Sequence, residues 1–171
     1  MASDYTQVEA AQADGGAPVE ELLERYRTGP ALVRAAITGM TRDQLLARPV
    51  PGKMSTLEVV AHVADADQYL ADRLKRTIAT ERPLLVGVES AGYPGPLHYE
   101  ERDIELDLEL LEVTRRQMAA DLVRLAEDAW LRTAVHTETG LVTLRQLLLH
   151  AVRHLEGHLE AVREKRDALG L

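Results

Sequence analysis

The chain has 171 residues, 46% of them apolar, a length and composition that suit one soluble globular domain. With 28 acidic against 20 basic residues the formal charge is −8, which repels phosphate backbones and anionic membranes, so neither nucleic acid nor membrane is an expected partner. Cysteine is absent, which removes disulfides, thiolate nucleophiles and Cys-ligated zinc and leaves histidine and carboxylate as the strong metal ligands.

Residues 1–17 are polar and small, with no apolar periodicity to bury, and are expected to form a loose tail ahead of a single domain over residues 18–171. The opening MASDYTQVEAAQADGG lacks a basic segment followed by an apolar one, and no run of about 18 apolar residues exists, so a cytoplasmic location is expected. From Pro18 the chain reads PVEELLERYRTGPALVRAAITGM, a first helix by its spacing. Gly29-Pro30 should kink it or split it in two, because proline removes a backbone donor and disfavours helix at the preceding residue. After the loop ARPVPGKMS, Ser55 followed by Glu58 forms a capping-box signature, and a second helix runs from about Thr56 to Thr80. The Pro- and Gly-rich stretch from Arg82 to Asp103 is long for a loop and can lie over a site as a lid; within it LLVGV has the residues of a short strand.

A third helix is predicted from Ile104 to Glu127 and a fourth from Thr143 to Asp167, joined by a connection that carries Trp130, His136 and Gly140. No pair of alternating segments argues for a sheet. Four helices of this kind predict an all-α protein, most economically an antiparallel bundle.

Three of the six histidines fall on the fourth helix, in LLLHAVRHLEGHLEAV, at positions 150, 154 and 158. Residues four apart share a helix face, so adjacent members of this set can converge on one ion, and spacing alone leaves two candidate pairs. The apolar arc of Leu144, Leu148, Ala151, Leu155, Leu159 and Val162 places His158 inside the buried face and His154 at its edge, with His150 about 40° further out. His150 is therefore assigned to the helix surface or to a place behind the ligands. On the second helix His62 lies at the boundary of the arc Val59, Val63, Ala66, Leu70 and Leu74 and can also face the interior. Three imidazoles from two helices leave coordination positions for water or substrate, the pattern of a catalytic rather than a closed structural site. Asp65, one turn from His62, can accept a proton from a ligand imidazole but reads better as a solvated carboxylate, as do Glu156 and Glu160. His136 and Glu138 can approach the mouth of the site, and His98 carries no motif.

The runs PGKMSTLEVVAHVADADQYLADRLKRTIATERP and HTETGLVTLRQLLLHAVRHLEGHLEAV resemble the DinB-like superfamily, and more closely its YfiT-type branch of metal-dependent hydrolases, over roughly Val19 to Arg166. The likeness rests on the PGK-x-S entry to the second helix, the His-x-Ala-Asp around His62, the H-x-E-x-G turn and the His-x3-His ending at His158. It departs at Met54, where the family commonly has tryptophan. The resemblance implies an up-down-down-up four-helix bundle, His62, His154 and His158 as ligands of a divalent ion such as nickel or zinc, and a homodimer. It further implies hydrolysis of a small molecule through a metal-bound water, or transfer or isomerisation with a low-molecular-weight thiol at the metal. A binding module without turnover is the third reading.

Overall fold

Three helices begin on capping boxes, in which a Ser or Thr hydroxyl accepts from a backbone N–H three residues on and the Glu or Gln there reaches back to the cap. The pairs are Thr41 with Gln44, Ser55 with Glu58, and Thr143 with Gln146. They open the short α2 (Arg42–Leu46) and the long α3 (Thr56–Ala79) and α5 (Leu144–Leu169), which with α1 (Val19–Ile37) and α4 (Ile104–Leu122) make up the helical part of the computed structural model. The structure describes residues 16–171, so the expected tail lies, apart from Gly16 and Ala17, outside the described residues.

Side-chain contacts fix the directions of the four long helices. Arg25 meets Glu156, and Arg166 meets the carbonyls of Ala36 and Thr38, so α1 and α5 run parallel. Asp67 meets Arg115 and Lys75 meets Gln117, so α3 and α4 are parallel too. Arg34 meets Glu105 while Tyr26 meets Arg115, which sets α1 against α4. His62 at the start of α3 faces His154 and His158 far along α5, so those two are antiparallel. Helices α1 and α5, α5 and α3, α3 and α4, and α4 and α1 pack side by side, leaving sequence neighbours α1 and α3 diagonal. The result is an up-down-down-up bundle, as the resemblance implies, rather than the simple antiparallel bundle that helix count favours.

Three sequence expectations are corrected here. Helix α1 runs unbroken through Gly29 and Pro30. Proline leaves the Tyr26 carbonyl without its helical N–H, and Arg115 Nη1 donates to that oxygen at 3.2 Å instead. The second correction is a sheet. β2 (Thr133–His136) and β3 (Gly140–Thr143) form an antiparallel hairpin, and β1 (Leu84–Leu85), inside the LLVGV stretch, adds to β2 in parallel. Gly140 takes φ +75° at the hairpin turn, the left-handed conformation that suits glycine. Helix α4 also stops at Leu122 rather than Glu127, and residues Glu127–Leu131 form a 3-10 turn that buries Trp130.

The sheet sits at one end of the bundle, and β3 runs straight into the capping box of α5. One apolar cluster joins Trp130, Ala134 and Val142 of that end to Leu144, Leu148 and Leu70; a second joins Val59, Val63, Leu111, Leu155 and Leu159 further along. The 82–103 stretch is tied down rather than loose: Tyr99 is fully buried and its hydroxyl donates to Asp65 at 2.7 Å. No helix among the described residues is long and apolar enough to cross a membrane.

Candidate metal centre

Helices α3 and α5 cross where each carries histidine on its inward face. His62 comes from the second turn of α3; His154 and His158 come from successive turns of α5, whose start is pinned by the Thr143 cap. Ring centroids stand 5.3 Å apart for His62 and His154, 4.8 Å for His62 and His158, and 4.6 Å for His154 and His158. One nitrogen from each ring lies within 4.8 Å of the others, close enough for one ion to take all three. His62 and His154 are buried at 8% and 9% exposure, whereas His158 is only partly buried, the reverse of the order that the helical arc predicts for the α5 pair.

The chemistry of this donor set suits a cation. Burial, then the charges that His158, His62 and His150 would carry and that of Arg115, push the His154 pKa well below the usual imidazole range. Burial, followed by His62 and the Lys165 ammonium, pushes His158 down to about 3. Both rings are therefore neutral at pH 7 and carry a lone pair. The Nδ1 atom of His154 is buried with no hydrogen-bond partner among the described residues, a cost that an ion or a water bound at that atom would relieve. A second group, His98 with Glu100 and Glu101, lies wholly on the surface.

The remaining candidates fall partly where the sequence suggests and partly elsewhere. Asp65 is not a solvated carboxylate: its Oδ2 accepts from Tyr99 and, at 2.8 Å, from Arg102. Glu156 is paired with Arg25 at 2.8 and 2.9 Å, while Glu160 stays exposed beside Arg163. His150 is not on the surface. It is 8% exposed, its ring lies 6.2 Å from that of His154, and it lines a pocket together with His136, Arg73, Gln146, Val142 and Leu147. Glu138 turns away from that pocket and packs over Gly87, where a Cβ would lie 2.3 Å from its carboxylate oxygen.

Sequence reasoning missed Arg73, Asp67 and Arg115. Asp67 and Arg115 form a bidentate pair at 2.7 and 2.8 Å with both side chains 1% exposed. A charged residue among the inward positions of an amphipathic helix was the available signal, and both Arg73 and Asp67 carry it.

Comparisons with known proteins identify the fold and the family. A protein of Bacillus licheniformis named "Putative metal-dependent hydrolase" is 25% identical over 153 residues, covering 89% of this chain and 87% of the relative. One of Oceanobacillus iheyensis with the same description is 22% identical, covering 87% and 88%. Among solved structures, YfiT from Bacillus subtilis, described as a probable metal-dependent hydrolase with an unusual four-helix bundle topology, superposes with a TM-score of 0.83 at 23% identity, covering 88% of this chain and 87% of YfiT. A mycothiol-dependent maleylpyruvate isomerase superposes with a TM-score of 0.66 at 16% identity over 84% of this chain and 60% of its own. Residues 25–162 match the DinB superfamily, and with the parallel pairing of α1 with α5 and the histidine cluster between α3 and α5 in place, the chain belongs to that superfamily.

Proposed function

We propose that His62, His154 and His158 ligate a divalent ion, nickel or zinc, and that the chain is a metal-dependent hydrolase of a small molecule. The observation that carries this is the convergence of three imidazole nitrogens within 4.8 Å from two helices. Three ligands of this type leave positions for water and substrate. Bound there, a divalent ion supplies Lewis acidity and a water of lowered pKa. The chain contributes the neutral imidazoles of His154 and His158 and the buried ring of His62, and Leu155, Leu159 and Val63 exclude bulk water from the bundle interior. The names of the relatives support the hydrolase reading.

Elemental analysis of protein purified without an affinity tag tests the ligand set. The expected result is near one equivalent of nickel or zinc in the wild type and a large loss in His62→Ala and His154→Ala. Equal metal in all three would overturn it. Turnover on an ester, amide and phosphoester panel, absent in His154→Ala, then tests the reaction.

A second reading, thiol-dependent transfer or isomerisation, is favoured by the likeness to the mycothiol-dependent isomerase. Since this chain has no cysteine, its sulfur must come from a low-molecular-weight thiol, which a bound ion deprotonates. A calorimetric response of metal-loaded protein to small thiols, together with silence on the hydrolysis panel, selects this reading over the first.

A further inference from the structure

We propose that the outer face of α4 is a contact surface for a second copy of this chain, with the two α4 helices paired antiparallel about a two-fold axis. The inference is independent of the metal and of the reaction proposed above.

Helix α4 carries two apolar stripes, and the bundle uses one. Leu108, Leu111, Met118 and Leu122 are buried in the core. A second set, Leu106, Leu110, Val113 and Ala120, keeps the helical steps of four, three and seven and lies across the helix from the first. Leu106 is 63% exposed and Val113 51%, Ala120 is exposed and Leu110 half-buried. Arg34 of α1 reaches Glu105 on one flank and Lys75 of α3 reaches Gln117 on the other, so this stripe points away from both neighbouring helices. Single exposed apolar side chains are ordinary, but a row at the spacing of a helix seam is what a partner helix covers.

The charges beside the stripe select the occupant. In the first half of the face the exposed charged side chains are Asp103, Glu105, Glu109 and Glu112, all acidic. Beyond Val113 come Arg116 and Arg124, with Asp121 the only acid of that half. The face is therefore complementary to itself when reversed. A second copy turned about an axis near Val113 brings Arg116 toward Glu109 of the second copy and Arg124 toward its Asp103, each contact occurring twice, as an isologous interface requires. The same turn sets the large Leu106 against the small Ala120 and Val113 against Val113. A parallel pairing would instead lay acidic half on acidic half. The apolar stripe supplies the affinity, and the charges fix the direction.

Sedimentation equilibrium of the full chain over a range of concentrations tests this, and the wild type is expected to dimerise reversibly. Val113→Glu puts like charges together at the axis, on a side chain already half exposed, and should raise the dimer dissociation constant by about tenfold or more while the melting temperature of the monomer stays in place. Arg116→Glu should weaken the dimer too, and adding Glu109→Arg should recover most of that loss, since the exchanged charges face each other only in the antiparallel pair. Leu84, Val135 and Leu141, aligned across the three strands, form the competing exposed apolar patch, and Val135→Glu should leave the dimer unchanged. The proposal is overturned by a wild type that remains monomeric up to its solubility limit, or by a dimer that Val113→Glu leaves intact. A dimer broken by Val135→Glu instead, or no recovery in the charge exchange, overturns it as well.

Discussion

Arg115 Nη1 donates to the carbonyl of Tyr26, the oxygen that Pro30 leaves without a helical partner. The same guanidinium pairs with Asp67 on α3 and donates to the Ala151 carbonyl on α5 at 3.0 Å, so a residue of α4 ties all four long helices together. Arg115→Met would strand the buried Asp67 charge and the Tyr26 carbonyl. The expected loss is about 3–5 kcal/mol in urea-induced unfolding, the range for breaking a buried pair from one side. Pro30→Ala restores an N–H to Tyr26, and its effect should be more favourable in the Arg115→Met background than in the wild type, a coupling that a double-mutant cycle measures.

Gly29 sits under that guanidinium: an added Cβ would lie 2.6 Å from Arg115 Nη1 and 3.2 Å from a Leu155 methyl. Side-chain ends usually yield to such a clash, but this one is held by Asp67, Tyr26 and Ala151. Gly29→Ala, which ordinarily stabilises a helix, is expected instead to destabilise by about 1–3 kcal/mol, as overpacking does. An unchanged or raised melting temperature would contradict the reading of Arg115 as fixed.

What the sequence made legible followed from local rules. The Ser55–Glu58 capping box marked the start of α3 to the residue, and the helical arcs brought His62, His154 and His158 to the interior. Thr41-x-x-Gln44 offered the same signal for α2 and was passed over. What stayed hidden depended on residues far apart in sequence. Pro30 reads as a break until Arg115, 85 positions later, replaces the missing donor. The strand-like LLVGV run does hold β1, but β1 is two residues long and exists through its pairing with β2, and the β2–β3 hairpin that makes it part of a sheet was not legible. His150 lies outside the apolar arc of its own helix yet is buried, in a pocket it shares with His136 and Val142 of the β2–β3 hairpin.

The depressed pKa values make stability of the metal-free protein depend on pH. For His154 and His158 the folded value lies below the unfolded value of about 6.5, so the unfolded chain takes up protons first as pH falls. The stabilisation is intact above about pH 6.5 and is lost on acidification toward pH 3, where His158 itself titrates. Between pH 7 and 5.5, before most carboxylates contribute, unfolding free energy should fall with a slope approaching about 1.4 kcal/mol per pH unit for each such histidine. His158→Gln should flatten the slope by about one histidine's share; an identical slope would show that its burial carries no such penalty.

Metal addition should act on the folded chain alone, since the three nitrogens meet only when α3 and α5 are packed. At free metal 100 times the dissociation constant, linkage predicts about 2.7 kcal/mol of added stability, visible as a higher melting temperature that EDTA reverses. His62→Ala and His154→Ala should lose most of that gain, because each removes one of three ligands. His150→Ala is the informative control: its ring, 6.2 Å from His154, belongs to the pocket and not to the three-nitrogen cluster, so the metal-induced shift should persist. Loss of the shift in His150→Ala to the same extent as in His154→Ala would move the centre one turn along α5, to the other histidine pair that spacing allows.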